Sequence, residues 1–444
     1  MLAARRSGHL LQVLGVGFGL AVTIGNTIGA GILRAPGEVA RHLPDPGLFL
    51  LVWALGGVYA FLGAIQIAEL AAMLPRSGGQ YVFARHALGE YAGFVVGWSD
   101  WLSVCGTVAA VSIVIGDFSA ALAPALLGHE TRIALGVAVV FAATQWRGIR
   151  WGGLIQNATS MAKAVAFLAL VVAAFVLGGG AWPAGEAADG RELALGSALL
   201  LSLQAVIYTY DGWTGPVYFS EEIENPGRNV PRALFGGVLS VIAIYLLVNL
   251  SFLYVLPVER IAGEEFAAGA VAAALFGANG ETLLRALTVL SLLSAVNANH
   301  LMASRTLYGM SRDRLFSARA AVVNDGGTPS VALSLGTAVA LLFIVLGQSF
   351  ERVITVLAFF FVANYSISFT SVFVLRRREP GRPRPYRAWG YPFTTAAALI
   401  GSLAFLVGAV AADTRNSLYA LLLLGVSYPM FQRMRSREAT QGPQ

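Results

Sequence analysis

The chain has 444 residues, of which 57% are hydrophobic and only 12% are charged. Long apolar runs recur from end to end, and soluble globular domains do not have such a composition. The sequence therefore predicts an integral membrane protein with little left over for a soluble domain. The formal net charge of +6 would suggest nucleic acid in a soluble chain. Here the arginines concentrate in the connections on one side of the apolar runs, which places both termini in the cytoplasm by the positive-inside rule.

The sequence lacks the residue patterns of several kinds of chemistry. Cys105 is the only cysteine, so no intrachain disulfide can form. The five histidines are far apart, and Lys163 is the only lysine, which excludes a phosphate-binding Gly-x-x-x-x-Gly-Lys loop. We therefore expect no metal and no other cofactor, and the chain is predicted not to be an enzyme.

Apolar segments of spanning length are the main structural signal. We expect an all-α integral membrane fold with twelve transmembrane helices. In chain order the segments are about 10–40, 47–73, 91–124, 132–146, 153–178, 194–221, 231–256, 282–312, 329–347, 351–375, 390–411 and 415–432.

Two of these segments are interrupted near the middle of the membrane. Residues 25–31 contain three glycines in seven positions, and each glycine costs a helix roughly 1 kcal/mol relative to alanine. Residues 210–215 (Tyr-Asp-Gly-Trp-Thr-Gly) interrupt the sixth segment at a comparable depth. Unpaired backbone groups are costly in hydrocarbon, so such breaks survive where they line a cavity, and paired breaks indicate the substrate site of a secondary transporter. The alternative is that glycine is simply common in membrane helices, where it allows close packing.

Several motifs resemble those of the amino acid–polyamine–organocation transporter superfamily. Gly29-Ala30-Gly31-Ile32 resembles the family's G-x-G-I break, and Glu69-Leu70-Ala71 with residues 73–81 resembles its signature after the second span. Residues 208–213, followed by 220–231, are most similar to the L-type amino acid transporter branch.

The resemblance implies a single transmembrane domain, residues 1–432, built from two inverted five-helix repeats with discontinuous helices 1 and 6. The repeats would cover about 10–178 and 194–375, followed by two added helices at about 390–432 and a short cytoplasmic tail, 433–444.

The breaks supply the groups that a zwitterionic amino acid needs. A helix that restarts after Gly29 leaves N–H groups of residues 30–32 free for a carboxylate. The carbonyl groups of Thr27, Tyr208 and Tyr210 are candidates for the ammonium group, and a glycine allows close approach. The predicted substrate-binding residues are Thr27, Ile28, Gly29, Ala30, Gly31, Ile32, Tyr208, Tyr210, Asp211, Trp213 and Asn297.

The side chains in this set have separate expected roles. Tyr208 corresponds to the aromatic gate of relatives, and Trp213 is expected in the side-chain pocket or against the first segment. Asn297, one turn beyond Ser294, is expected to touch the pocket. Asp211 departs from the L-type pattern, which has a small residue there. It caps the lower half-helix, or it acts at the site by taking up a proton, binding a substrate cation or pairing with a polar neighbour; one residue can do both.

Lys163 lies near the middle of the fifth segment, where an ionisable residue is a functional hypothesis by default. Lysine can lose its proton when buried, whereas arginine does not. The resemblance implies that its ammonium group fills the place of a sodium ion. There it would bridge the carbonyls of Gly25 and Asn26 and a hydroxyl of Ser291 or Ser294. The alternative is that Lys163 extends to the membrane surface.

Together these features predict a multi-pass permease of the bacterial inner membrane. We expect sodium-independent secondary active transport of amino acids by alternating access, with neutral L-amino acids moved by exchange or proton symport. The alternatives are a cationic amino acid or polyamine substrate, suggested by Asp211, and a sensor that binds without transporting. The expected partners are the amino acid and the lipid bilayer. No heavy-chain partner is expected, because the loop 126–132 has no cysteine for a tether.

Overall fold

The computed structural model describes residues 10–180, 194–347, 350–412 and 414–441. Within these residues all regular secondary structure is helical. The α-helices are α1 Val16–Thr27, α2 Gly31–His42, α3 Pro46–Met73, α4 Tyr81–Leu88, α5 Glu90–Leu122, α6 Glu130–Trp146, α7 Ile149–Leu177, α8 Leu195–Tyr210, α9 Pro226–Val255, α10 Val258–Ile261, α11 Ala267–Phe276, α12 Gly280–Arg312, α13 Ser330–Gly347, α14 Phe350–Arg378, α15 Phe393–Ala412 and α16 Thr414–Gln441.

The helices confirm the predicted all-α membrane class. Eight of the described helices are long and apolar enough to cross a membrane, and α1 with α2 makes a ninth span if the bent pair is counted as one. The predicted number of twelve is not confirmed. Helices α6 and α8 match predicted segments, but with 17 and 16 residues they are shorter than the roughly 20 residues of an ordinary span. Helix α8 is short because it ends at the second break.

The first break divides one span into two half-helices. Helix α1 ends at Thr27 and α2 begins at Gly31, with a bend of 45° between them. The backbone of Ile28 is extended there, with φ −74° and ψ 90°. A Cβ on Gly31 would lie 3.0 Å from both the Cγ2 and the Oγ1 of Thr209 in α8. The glycine therefore lets the second half-helix pack closely against the span that carries the other break.

The second break has a different local cause. Helix α8 ends at Tyr210, and Gly212 follows with φ +105°, a left-handed conformation that only glycine adopts without strain. A short 3₁₀ helix, Gly215–Phe219, continues the chain. The two breaks touch, because Asn26 Nδ2 donates a hydrogen bond of 3.2 Å to the Gly212 carbonyl.

Around these breaks, the long helices form the scaffold of the site. Helices α5 and α12, each of 33 residues, pack along one another. Helix α1 packs against α7, α9 and α12, and α8 packs against α2 and α3. One side of α7 is exposed and apolar, with Leu154, Met161 and Val172 at 60%, 66% and 61% exposure. Such a surface is stable in contact with lipid.

One end of the bundle, which we call the arginine-rich face, is closed by ion pairs. Its arginines are Arg76, Arg85, Arg305, Arg312, Arg376 and Arg384. Asp313 at the end of α12 pairs with Arg76 at 2.7 Å and Arg85 at 3.1 Å. Glu69 pairs with Arg376 at 2.5 Å and with Arg384 at 3.1 Å. These contacts join α12 to α4 and to the segment after α3, and they join α3 to α14 and to the loop after α14.

Candidate substrate-binding site

A cavity lies where the two helix breaks face each other. From the first break it is lined by Asn26, Thr27, Gly29, Ala30 and Gly31. From the second break and its flanks it is lined by Tyr208, Thr209, Asp211, Gly212, Thr214 and Tyr218. Gln80 and side chains of α5, α12 and α14 close the remaining sides, namely Val104, Thr107, Val111, Ala295, Asn299, Met302, Phe361 and Tyr365.

The first break presents backbone donors to this cavity. Ala30 is the N-cap residue of α2 and Gly31 its first residue, and the first N–H groups of an α-helix have no acceptor within the helix. The helix dipole adds positive potential at the same end. Residues 30 and 31 therefore lie where a carboxylate group can be bound. Ile28 and Ile32, also predicted for the site, have fully buried side chains and do not line the cavity.

The carbonyl groups of the two breaks are joined by Tyr245 of α9. Its hydroxyl lies 2.7 Å from the Thr27 carbonyl oxygen and 3.0 Å from that of Thr209. The Tyr208 carbonyl accepts the Asp211 N–H at 3.0 Å. A carbonyl oxygen has two lone pairs, so Thr27 and Tyr208 can each accept a further bond from an ammonium group. Tyr245 was not predicted, because a tyrosine in an apolar span carries no signal of this contact.

Two predicted aromatic residues lie behind the cavity rather than in it. Tyr210 packs on Trp53 and Tyr245, with ring centroids 6.3 Å and 4.9 Å away. Trp213 stacks on Tyr365 at 5.2 Å. Tyr208, by contrast, lines the cavity as expected for a gating aromatic. The aromatic residues beyond the break thus support the cavity wall from outside.

The prediction that Asn297 contacts the pocket is wrong. Its Nδ2 donates to the Gly152 carbonyl at 3.0 Å and to Gln156 Oε1 at 2.9 Å, on the α7 side of α12. The residue of α12 that lines the cavity is Asn299, whose Nδ2 donates to Asn26 Oδ1 at 2.6 Å. The cause is helical periodicity, since residues 295, 299 and 302 share one face and residue 297 points elsewhere.

Asp211 lines the cavity and accepts a hydrogen bond from the Tyr365 hydroxyl of α14. The 3₁₀ helix beyond the break has Thr214 as its N-cap residue. Asp211 therefore does not cap the lower half-helix, and that interpretation of its role is wrong. Its carboxyl group instead links the second break to α14.

Lys163 is buried, with 1% exposure, which excludes the alternative of a side chain extended to the membrane surface. Its Nζ donates to the Gly25 carbonyl at 2.8 Å and to the Ile28 carbonyl at 2.5 Å. The second acceptor is the Ile28 carbonyl and not the predicted Asn26 carbonyl. Unpaired carbonyl groups at the end of α1 attract a positive charge, and Ile28 lies at that end.

Neither predicted serine of α12 bonds the ammonium group, but Ser294 shares the Gly25 carbonyl with it. Ser294 Oγ is 3.2 Å from the Gly25 carbonyl and 2.8 Å from the Ser291 carbonyl. Ser291 Oγ has no partner among the described residues. The structure thus brings Lys163, Gly25 and Ser294 together, in a different bonding pattern from the one expected.

A second pocket continues from the cavity away from the arginine-rich face. It shares Ala30, Gly31, Tyr208 and Thr209 with the cavity and reaches Arg34, Glu38, Arg41, Glu264 and Glu265. The ion pairs of the arginine-rich face lie toward the other end of the bundle. Among the described residues, this pocket therefore extends the cavity toward the end opposite those ion pairs.

This combination of discontinuous helices around a cavity, in a bundle of membrane-spanning helices, defines a secondary transporter. The family profile described as "Amino acid permease" matches residues 17–428. The protein belongs to the amino acid permease family, which confirms the predicted resemblance to the amino acid–polyamine–organocation superfamily.

Curated relatives agree with this assignment. The serine/threonine exchanger SteT of Bacillus subtilis (strain 168) is 28% identical over 438 residues, covering 97% of this chain and 98% of that protein. The human b(0,+)-type amino acid transporter 1 is 26% identical, with 85% and 79% coverage. The mouse large neutral amino acids transporter small subunit 2 is 25% identical, with 85% and 73% coverage. These relatives are transporters and not enzymes, as predicted for this chain.

Proposed function

We propose that the protein moves neutral L-amino acids across the membrane by alternating access, through exchange or proton symport and without sodium. The observation that supports this most strongly is the meeting of the two breaks around one cavity. Unpaired N–H groups at residues 30 and 31 bind the carboxylate of the amino acid. The Thr27 and Tyr208 carbonyls accept from its ammonium group. Backbone recognition of this kind selects the α-amino acid part and leaves the side chain to the cavity wall.

The polar wall favours small hydroxyl-bearing substrates such as serine and threonine. Asn299, Thr107 and Thr214 reach the cavity beside apolar Val104 and Met302. A mixed wall can form hydrogen bonds with a hydroxyl group and still accept a methyl group. The serine/threonine exchanger among the relatives is consistent with this choice.

Sodium independence rests on the position of Lys163. Its ammonium group already satisfies the carbonyl oxygens of Gly25 and Ile28, which are the kind of ligands a sodium ion would need. A second cation next to it would be repelled. The chain therefore carries its own cation where an ion-coupled transporter would bind one.

The orientation follows from the distribution of arginines. We place the arginine-rich face and both termini in the cytoplasm, so the pocket around Arg34 and Glu38 opens outward. The structure then corresponds to an outward-facing state whose cytoplasmic exit is closed by ion pairs. The proposed location is the inner membrane of a bacterium. We also propose that the helices form two inverted repeats, at about 10–178 and 194–375, and that the protein has no disulfide-linked partner.

A cationic substrate is the second candidate, because the Asp211 carboxyl group lines the cavity. The third candidate is a sensor that binds an amino acid without transport. All three are separated by uptake into proteoliposomes of labelled serine, threonine, leucine, arginine and putrescine, with and without sodium and with preloaded unlabelled substrate. Serine or leucine uptake that ignores sodium and rises with preloading or with an inward proton gradient supports the proposal. Uptake restricted to arginine or putrescine supports the second candidate, and binding without uptake supports the third.

A further inference from the structure

A carboxyl group lies buried just beneath the cavity without a basic partner. Asp100 of α5 is 1% exposed. It lies one helical turn from Val104, which lines the cavity, in the direction of the arginine-rich face. Tyr218 Oη donates to Asp100 Oδ1 at 2.7 Å, and Thr306 Oγ1 lies 3.5 Å from Oδ2. Among the described residues, no arginine, lysine or histidine is within ion-pair distance of Asp100.

The other buried acids on this side of the cavity are neutralised by arginine. Glu222 is fully buried and accepts two bonds of 2.9 Å from Arg305. Glu69 bonds Arg376 and Arg384. An ionised carboxylate that is buried without a positive partner is very unfavourable, and such a group takes up a proton instead. Asp100 has only two hydroxyl partners, so protonation is more favourable for Asp100 than for the acids that are paired with arginine.

We propose that Asp100 is a proton-binding site and that amino acid uptake carries a proton through it. The inference rests on the proposed transport function and adds its coupling ion. In the outward-facing state the proton arrives from water in the cavity. It passes through the Tyr218 hydroxyl, which lines the cavity and can donate and accept at once. Tyr218 gives its proton to an Asp100 oxygen and takes one from the cavity, so the tyrosine ends unchanged and the carboxylate becomes a neutral acid.

The location also explains how the proton can change the conformation. Tyr218 belongs to the 3₁₀ helix Gly215–Phe219 beyond the second break, whereas Asp100 belongs to the scaffold helix α5. A hydrogen bond to an ionised carboxylate is roughly twice as strong as one between neutral groups. Protonation of Asp100 weakens the link between the two elements and favours separation of the broken span from α5. Cytoplasmic water then reaches Asp100, the proton leaves, and the strong bond forms again.

The groups that face Asp100 from neighbouring elements do not supply a fixed counter-charge. Asp211 of the second break is close enough to interact with it electrostatically, as is Cys105 of its own helix. Tyr365 of α14 faces Tyr218. On α12 the adjacent Arg305 bonds Glu222 instead. A second acid and neutral groups disfavour a permanent charge on Asp100, so its protonation depends on access to water.

The test is proton influx that accompanies serine uptake. Wild-type protein is reconstituted into liposomes that contain a pH-sensitive dye, with the membrane potential clamped, and labelled serine is added outside. We expect lumenal acidification in a constant ratio to serine uptake. Asp100→Asn should lose the acidification, and any serine uptake that remains should no longer depend on external pH. Tyr218→Phe, which keeps the carboxyl group but removes the relay, should also lower the proton-to-serine ratio.

Asp211→Asn is the matched control, because it removes the other carboxyl group near the cavity. The rate of serine uptake by this variant can decrease, but the number of protons that enter with each serine should match that of wild type. Serine uptake without acidification in wild type overturns the inference, as does an unchanged ratio in Asp100→Asn. If Asp100→Asn does not fold, the wild-type ratio and Tyr218→Phe decide the question. Counterflow of labelled serine measures exchange separately, and its absence overturns the transport proposal itself.

Discussion

The Lys163 ammonium group lies 2.8 Å from the carbonyl oxygen of Gly25 at the end of the first half-helix. Through this contact and the bond to Ile28, the only lysine of the chain binds the backbone that borders the cavity between the two breaks. A change at α7 can therefore alter the geometry of the cavity from outside it.

Replacing Lys163 with methionine should abolish uptake and destabilise the protein. Each buried carbonyl that loses its donor costs about 1–3 kcal/mol. The measurements are serine counterflow and the melting temperature of the purified protein in detergent. Met161→Ala is the control, because Met161 lies on the same helix and is 66% exposed. Wild-type transport in Lys163→Met would show that the end of α1 does not depend on the ammonium group.

Gly31→Leu should prevent transport, because α2 would be pushed from α8. Even a Cβ atom would lie 3.0 Å from the side chain of Thr209 and 3.2 Å from its Cα, and a leucine side chain also fills the place of the substrate carboxylate. Binding of labelled serine to purified protein, together with uptake, measures the effect. Gly196→Leu on α8 serves as the control, since nothing lies within 4 Å of a Cβ there. Normal binding in Gly31→Leu would contradict the placement of the carboxylate.

The two asparagines of α12 should behave differently. Asn299→Ala removes a cavity side chain and its bond to Asn26, so we expect a higher KM for serine in an otherwise folded protein. Asn297→Ala removes a buried acceptor of Gln145 and the buried donor to Gln156 Oε1, so it should lower the melting temperature by an amount that corresponds to about 1–3 kcal/mol. The reverse pattern would mean that residue 297, and not 299, faces the substrate.

Asp211→Ala distinguishes neutral from cationic substrates. The carboxyl group lines the cavity and accepts a bond from Tyr365. If it only supports the second break, uptake of serine and arginine should fall together. If it binds a substrate cation, arginine uptake should fall and serine uptake should persist. Competition of each amino acid against labelled serine, in wild type and in Tyr365→Phe, gives the comparison.

The buried pair Arg305–Glu222 should be costly to break. Both side chains are fully buried, and removing one partner of such a pair costs about 3–5 kcal/mol. Glu222→Gln or Arg305→Met should therefore lower the melting temperature strongly, whereas the double variant should recover part of the loss. Arg285→Met is the control, because its partner Glu281 is exposed. Equal stability of the single variants and the control would show that the pair does not hold the arginine-rich face together.

The sequence by itself determined the membrane class and the two breaks, and it singled out Lys163 as a functional hypothesis. The composition shows that the chain lies in lipid, because long apolar helices satisfy their own backbone hydrogen bonds in hydrocarbon. Glycine and the polar residues beside it mark where a helix stops, and a lone ionisable residue in an apolar segment stands out without any structure. These signals are local in the sequence, so they can be recognised without a structure.

Only the tertiary structure decided which side chains meet. Asn299 and not Asn297 lines the cavity, because the face of α12 is set by its packing against α5 and α1. Tyr245 joins the two breaks from a helix with no unusual residue pattern. Asp100 differs from Glu69 and Glu222 only in what surrounds it, and the partner of a buried charge comes from another helix. Such contacts depend on how helices rotate and pack, which neither composition nor spacing specifies.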